Sequence, residues 1–263
     1  MYRIVVFFSL CYDWDLLPGN RSSVSSPDDL SHLPRKLDAY SEAALEYAFR
    51  LRDQITALGR TVQIQAITSE QDLPDFIAKN LFAVGADQVF TLQMDGDPML
   101  TPANTAAALS AYLGQQDWDL ILTGYQDSTT CDIALPVLLS RALRTPFLGP
   151  LFDLIFEADG LHIVRTLPEY TQTAVITCPA VCAIGNCEHP YLRLATLREK
   201  LSVMDRKAEV VSVPFVPASD PVLLHFSPRS SGRKTKWISD GDTNRKALQI
   251  LDIILTGKED TSK

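Results

Sequence analysis

The sequence predicts an α/β protein on a mostly parallel sheet, a three-layer Rossmann-like arrangement with an antiparallel extension and a C-terminal arm. Two observations carry that expectation. Short apolar runs at 4–8, 62–67, 88–92 and 119–124 alternate with segments of helical periodicity, as strand-helix-strand units do. The run at 119–124 then opens through Tyr125 and Gln126 onto polar residues, Asp127 to Asp132, before an apolar helix-like segment, Ile133 to Leu139. Open α/β sheets bind ligands at strand ends of this kind. A chain of 263 residues with 46% hydrophobic content has the material to bury a sizeable core.

Taken in order, residues 4–8 are β-branched and aromatic and suit a central strand. A stretch rich in Ser, Pro and Asp at about 13–33 reads as a loop. Residues 40–58 form a helix in which Ala44, Leu45, Ala48, Leu51 and Ile55 cover the sheet while Glu42, Glu46, Arg50 and Asp53 face water, and Gly59 closes it. A strand at 62–67, a helix at 73–84 ended by Gly85 and a strand at 88–92 follow. Pro102 opens an alanine-rich helix that leads back to the strand at Leu120.

After Pro146 the pattern changes. Residues 152–156, 161–166 and 173–184 read as strands joined at Asp159-Gly160 and Glu169-Tyr170, and Asp-Gly is a strong turn signal between strands. From 213 to 228 prolines interrupt every short apolar run, which describes an extended arm. A last helix at 244–255 carries the stripe Ala247, Leu248, Ile250, Leu251, Ile253 and Ile254, which needs a partner to bury it. The expected division is therefore 1–212 for the α/β domain and 213–263 for the arm and its helix.

Composition excludes several classes. A formal charge of −8 and a pI near 5.0 argue against nucleic acid as the main partner, because phosphate binding needs a concentrated basic surface. The apolar amino terminus is short and has no small-residue cleavage site after it, which does not describe an export signal. No apolar run approaches the roughly 20 residues of a membrane helix, so membrane insertion is not expected and a cytoplasmic location is. Five cysteines, an odd number inside apolar patterns, suit a reducing compartment. A metal site at Cys178, Cys182 and Cys187 is rejected because one strand over 175–184 would hold the first two sulfurs too far apart. No metal ligands and no catalytic residues are assigned: a Ser-His-Asp set, a paired carboxylate site and a Walker loop are all lacking.

The order and wording of several segments resemble the beta subunit of the electron transfer flavoproteins. The opening strand ending near Asp13, the helix on Glu42 to Leu51, Ala83 to Asp87 before a strand, and Asp119 to Gln126 followed by a helix and Pro146 all look like that family. Val164-Arg165 to Glu169, then Thr173 to Val181, is similar to its signature region. The chain reads as a divergent bacterial paralogue. The resemblance implies an adenine-nucleotide-alpha-hydrolase-like fold and a heterodimer with an alpha subunit that holds most of the FAD site. The implied role is to carry electrons from a flavin dehydrogenase, such as one like the acyl-CoA dehydrogenases, to an acceptor, without substrate turnover of its own.

The family also holds a second nucleotide in the beta pocket, AMP or a second FAD. Carried over, that site involves Phe8, Asp38, Ser41, Ile67, Gly124, Gln126, Asp127, Ser128, Thr129 and Thr130. Partner recognition falls to the segment Glu188 to Leu194, with Tyr191 and Leu194 as anchors. The loop's second half departs from the family, being apolar from Ile133 on, and Asp127 and Asp132 would repel phosphate. Asp38 reads first as a helix N-cap and second as a ribose contact, and Leu192, Leu194, Leu197 and Leu201 also read as inward-packing residues of an amphipathic segment. The alternative function is a stand-alone adenine-nucleotide-binding regulator of universal-stress-like fold, which requires a Gly-rich phosphate loop that this chain lacks.

Overall fold

The computed structural model describes residues 1–13, 16, 33–94, 101–128, 130–214, 238–239 and 241–256. The chain divides into two units, 1–226 and 227–263. In chain order the elements of the first are β1 (Tyr2–Phe7), β2 (Leu10–Tyr12), β3 (Arg35–Leu37), α1 (Ala39–Ala57), β4 (Val62–Thr68), α2 (Asp75–Val84), β5 (Gln88–Met94), α3 (Pro102–Leu113), β6 (Leu120–Gly124) and α4 (Ala134–Leu143). There follow β7 (Phe147–Leu151), β8 (Asp153–Glu157), β9 (Gly160–Thr166), β10 (Thr171–Ile176), β11 (Ala180–Ile184), α5 (Leu197–Ser202) and β12 (Glu209–Val213). The second unit contributes α6 (Thr243–Thr256).

Seven strands form one sheet in the order β12-β5-β4-β1-β6-β11-β7, and every pairing in it is parallel. The strand order reverses at β1: β4 and β5 are added on one side of it, and β6 on the other. Side chains of β1 alternate between two cores, as a strand buried on both faces must. Ile4 and Val6 join α1 and α2 in one. Val5 and Phe7 join α3 in the other, where Leu139 of α4 also packs.

Local chemistry sets the helix ends. Asp38 caps α1 by accepting from Tyr40 N, and Thr101 caps α3 ahead of Pro102. Gly85, at φ 120°, stops α2 in a conformation that side chains with a Cβ resist.

A second sheet, β10-β9-β8, is antiparallel, as expected for the extension. Its Leu154, Phe156, Leu161 and Ile163 enter the α1-side core. Tyr47 of α1 donates its hydroxyl to the Phe152 carbonyl at 3.1 Å, and Gln54 accepts from Phe156 N at 2.8 Å. The β8–β9 turn holds Glu157, Asp159 and His162, with His162 Nε2 at 2.7 Å from Asp159. That hydrogen bond raises the His162 pKa above the usual imidazole value and lowers that of Asp159. A group held protonated in this way stabilises the hairpin below the ordinary histidine pKa, and the contribution is lost as pH rises through the raised value. An NMR titration of the His162 ring is expected to show a midpoint above that of the Asp159→Asn variant.

Several expectations are corrected. Residues 173–184 are not one strand: β10 ends at Ile176, and past Pro179, which has no N–H to donate, the chain resumes as β11 between β6 and β7 in the parallel sheet. The spacing used to set Cys178 apart from Cys182 therefore does not exist. Residues 147–151 form an edge strand with no counterpart in the sequence reading, and 209–213 form another, β12, alongside β5. Val213, read as the start of the arm, is buried in the α3-side core. Glu46, read as facing water, is buried with its side chain 9% exposed.

Burial raises the Cys178 thiol to about 11, so that it is inert near neutrality. Among the described residues only Glu157, Asp159 and His162 bring three metal-type ligand atoms within 4.8 Å of one another. Among them, no helix is long and apolar enough to cross a membrane.

Candidate functional site

A cleft of about 160 Å³ opens where the strand order reverses, above the carboxyl ends of β1, β4 and β6. Crossovers on the two sides of β1 leave in opposite directions and part there, which is why the place is open. Phe7, Leu135 and Pro136 give it apolar walls, Ser9, Ser41, Ser69 and Thr105 give it hydroxyls, and Glu70, Asp127 and Asp132 give it carboxylates. No Lys or Arg lines it among the described residues. Glu70 on its wall is paired with the Arg35 guanidinium.

Most of the residues named from the sequence meet here, in distinct ways. Ser41, Gly124, Gln126, Asp127 and Thr130 line the cleft. Ser41 Oγ accepts from Ser9 N at 3.0 Å and so joins the start of α1 to the end of β1. Gly124 is a point of close approach: a Cβ there would lie 2.7 Å from Tyr40 Cβ, so only glycine lets α1 start this near β6. Gln126 accepts from the Tyr40 hydroxyl at 3.5 Å. Phe8 and Ile67 sit at the ends of β1 and β4 with side chains wholly buried, one in each core. Thr129 lies outside the described residues.

Asp38 is the N-cap, as one reading of it expected, and it does more. Only 1% exposed, it accepts from Tyr40 N at 2.9 Å and from Ser128 N, in the β6–α4 loop, at 2.8 Å. One buried carboxylate thus ties the α1 terminus to the loop 90 residues away in sequence. The contributions of Ser9, Ser69, Glu70 and Tyr40 escaped the sequence reading. A polar residue directly after a buried strand was the available signal for Ser9, Ser69 and Glu70.

The second surface is the segment between β11 and α5. Tyr191 is 79% exposed and Leu194 is 91% exposed, both with large apolar side chains in water. Leu197 and Leu201 of α5 are exposed too, whereas Leu192 packs against the core. The inward-packing reading therefore holds for Leu192 alone.

Rigid contacts hold this segment. Arg193 donates its backbone N to Glu46 Oε2 at 2.9 Å, its Nε and Nη2 to the same carboxylate, and Nη1 to Asp53 at 2.8 Å. The pair keeps the Arg193 guanidinium more firmly protonated than usual, chiefly through the hydrogen bonds to Glu46. His189 stacks obliquely on Tyr47. A capping box of Thr196 and Glu199 then starts α5.

A parallel sheet covered on both faces, with a cleft at its reversal point, defines a doubly wound α/β protein of the kind that carries a bound group at its strand ends. Residues 30–211, more than half of the chain, match the electron transfer flavoprotein domain, and the chain belongs to that family.

Proposed function

We propose that this chain is the beta-type subunit of an electron transfer flavoprotein, an electron carrier without substrate turnover of its own. It pairs with an alpha-type chain that holds most of the FAD, takes electrons from a flavin dehydrogenase of the acyl-CoA dehydrogenase kind, and delivers them to an acceptor in the cytoplasm. The flavin, when bound, supplies the redox chemistry; this chain contributes binding surface and orientation.

The family match over residues 30–211 carries the reading. Two exposed apolar surfaces support it. Tyr191 and Leu194 project from a segment fixed by Arg193 and Glu46, which suits a small transient interface with a dehydrogenase, where a few buried anchors dominate. On α6, Leu248, Ile250, Leu251, Ile253 and Ile254 are exposed, and a helix with such a stripe suits a stable mate. We assign residues 1–212 to the nucleotide-binding-type α/β domain, with β12 completing its sheet edge through Val213, and the remainder to subunit docking.

Co-expression with alpha-type chains tests the proposal. The expected result is a heterodimer that co-purifies with one FAD and whose flavin is reduced by a flavin dehydrogenase. A chain that stays apart from every alpha-type mate and acquires no flavin would overturn it.

A further inference from the structure

We propose that this chain's own carboxylates occupy the places a phosphate would take in the cleft, at Ser128, Thr130 and Ala134, so that phosphorylated nucleotides are excluded.

A phosphate at such a loop is held by backbone N–H groups, a helix N-terminus and cations. Here three of those amides donate to the chain's own carboxylates. Ser128 N donates to Asp38 Oδ2 at 2.8 Å, Thr130 N to Asp127 Oδ1 at 2.7 Å, and Ala134 N, the first amide of α4, to Asp132 Oδ1 at 2.6 Å. Asp127 N reaches the Asp132 carbonyl at 2.9 Å, and Cys131 N the Asp127 carbonyl at 2.8 Å. Within the first turn of α4, Pro136 removes a further donor. At the neighbouring α1 terminus Asp38 takes Tyr40 N.

Electrostatics acts in the same direction. A phosphate would enter beside Asp127 and Asp132, with no Lys or Arg on the cleft wall among the described residues. Like charges at this range in a partly desolvated cleft repel strongly. The second nucleotide implied by the family resemblance therefore does not fit the residues present. This inference goes beyond the subunit assignment and stands or falls without it, because it concerns the isolated full chain.

The test compares wild type with Asp132→Ala, which frees Ala134 N and removes a charge, and with Asp132→Asn, which removes the charge while keeping an acceptor. AMP and inorganic phosphate are the probes, thermal melting and isothermal calorimetry the readouts, and the far-UV spectrum confirms folding. Wild type is expected to show no shift in Tm and no saturable heat with AMP up to about 1 mM. Asp132→Ala is expected to gain a phosphate-dependent rise in Tm and measurable AMP affinity, with Asp132→Asn in between; if Asp132→Ala does not fold, Asp132→Asn carries the comparison. Saturable AMP binding by wild type, or AMP released from the purified wild-type chain on denaturation, overturns the proposal. So does a folded Asp132 variant that gains no anion binding.

Discussion

Replacing Glu46 with alanine is expected to destabilise the α/β unit by about 2–3 kcal/mol and to release the segment that presents Leu194. The physical case is asymmetric. Glu46 accepts the backbone N of Arg193 and most of its guanidinium, so alanine leaves those donors and their desolvation uncompensated at once. Breaking a fully buried pair costs roughly 3–5 kcal/mol. Arg193 keeps its contact with Asp53 and is 32% exposed, so water screens part of the loss and the lower figure applies.

Glu46→Gln should cost less, because its amide oxygen still accepts from Arg193 N. Urea unfolding measures the stability change, and amide hydrogen exchange separates its location. Exchange at Arg193 should accelerate far more than exchange in the middle of α1. If both accelerate equally, the contact is merely part of the core's global stability and does not fix the docking segment.

Truncation after Pro214 should have the largest effect on assembly and a small one on folding. β12 ends at Val213, pairs with β5 from Glu209 to Val213 and buries Val213 in the α3-side core, so the cut leaves the sheet edge intact. What it removes is residues 215–263, which include the 227–263 unit with the exposed apolar side chains of α6. The shortened chain is expected to melt within a few degrees of the full one and to lose heterodimer formation in co-purification. Retained pairing with an alpha-type chain would move the mate's main contacts to the α/β domain. A cut after Ala208 makes the complementary case: it removes β12 as well, exposes the β5 edge, and should give aggregation rather than a clean monomer.

How much was legible beforehand follows from the range over which each feature is encoded. Helix α1 is visible in the local spacing of Ala44, Leu45, Ala48, Leu51 and Ile55, and its start in Asp38, because periodicity and capping act within a turn or two. The same periodicity misjudged Glu46. A glutamate on a helix gives no local sign that an arginine 147 residues later will cover it. Residues 180–184 showed their apolar strand character plainly, yet not their neighbours: nothing in five buried residues states whether they extend an antiparallel hairpin or return between β6 and β7.

The cleft divides along the same line. Its place, at the end of the Leu120–Gly124 strand, was readable, as was the acidity of the loop beyond it. Which donors that loop would still offer was not, since Ser128 N is consumed by Asp38 from another element. Ser9 and Glu70 meet Asp127 only because β1, β4 and β6 end side by side.

By itself the amino-acid order determined the alternation of strands and helices, their caps and stops, the apolar stripe of the last helix and the family likeness, all of which reside in residues near one another in the chain. Tertiary structure alone decided the strand order, the clamp on Arg193 and the tie from Asp38 to the β6–α4 loop. Each of these is a pairing between distant segments, and the free energy that selects among such pairings belongs to the packed whole.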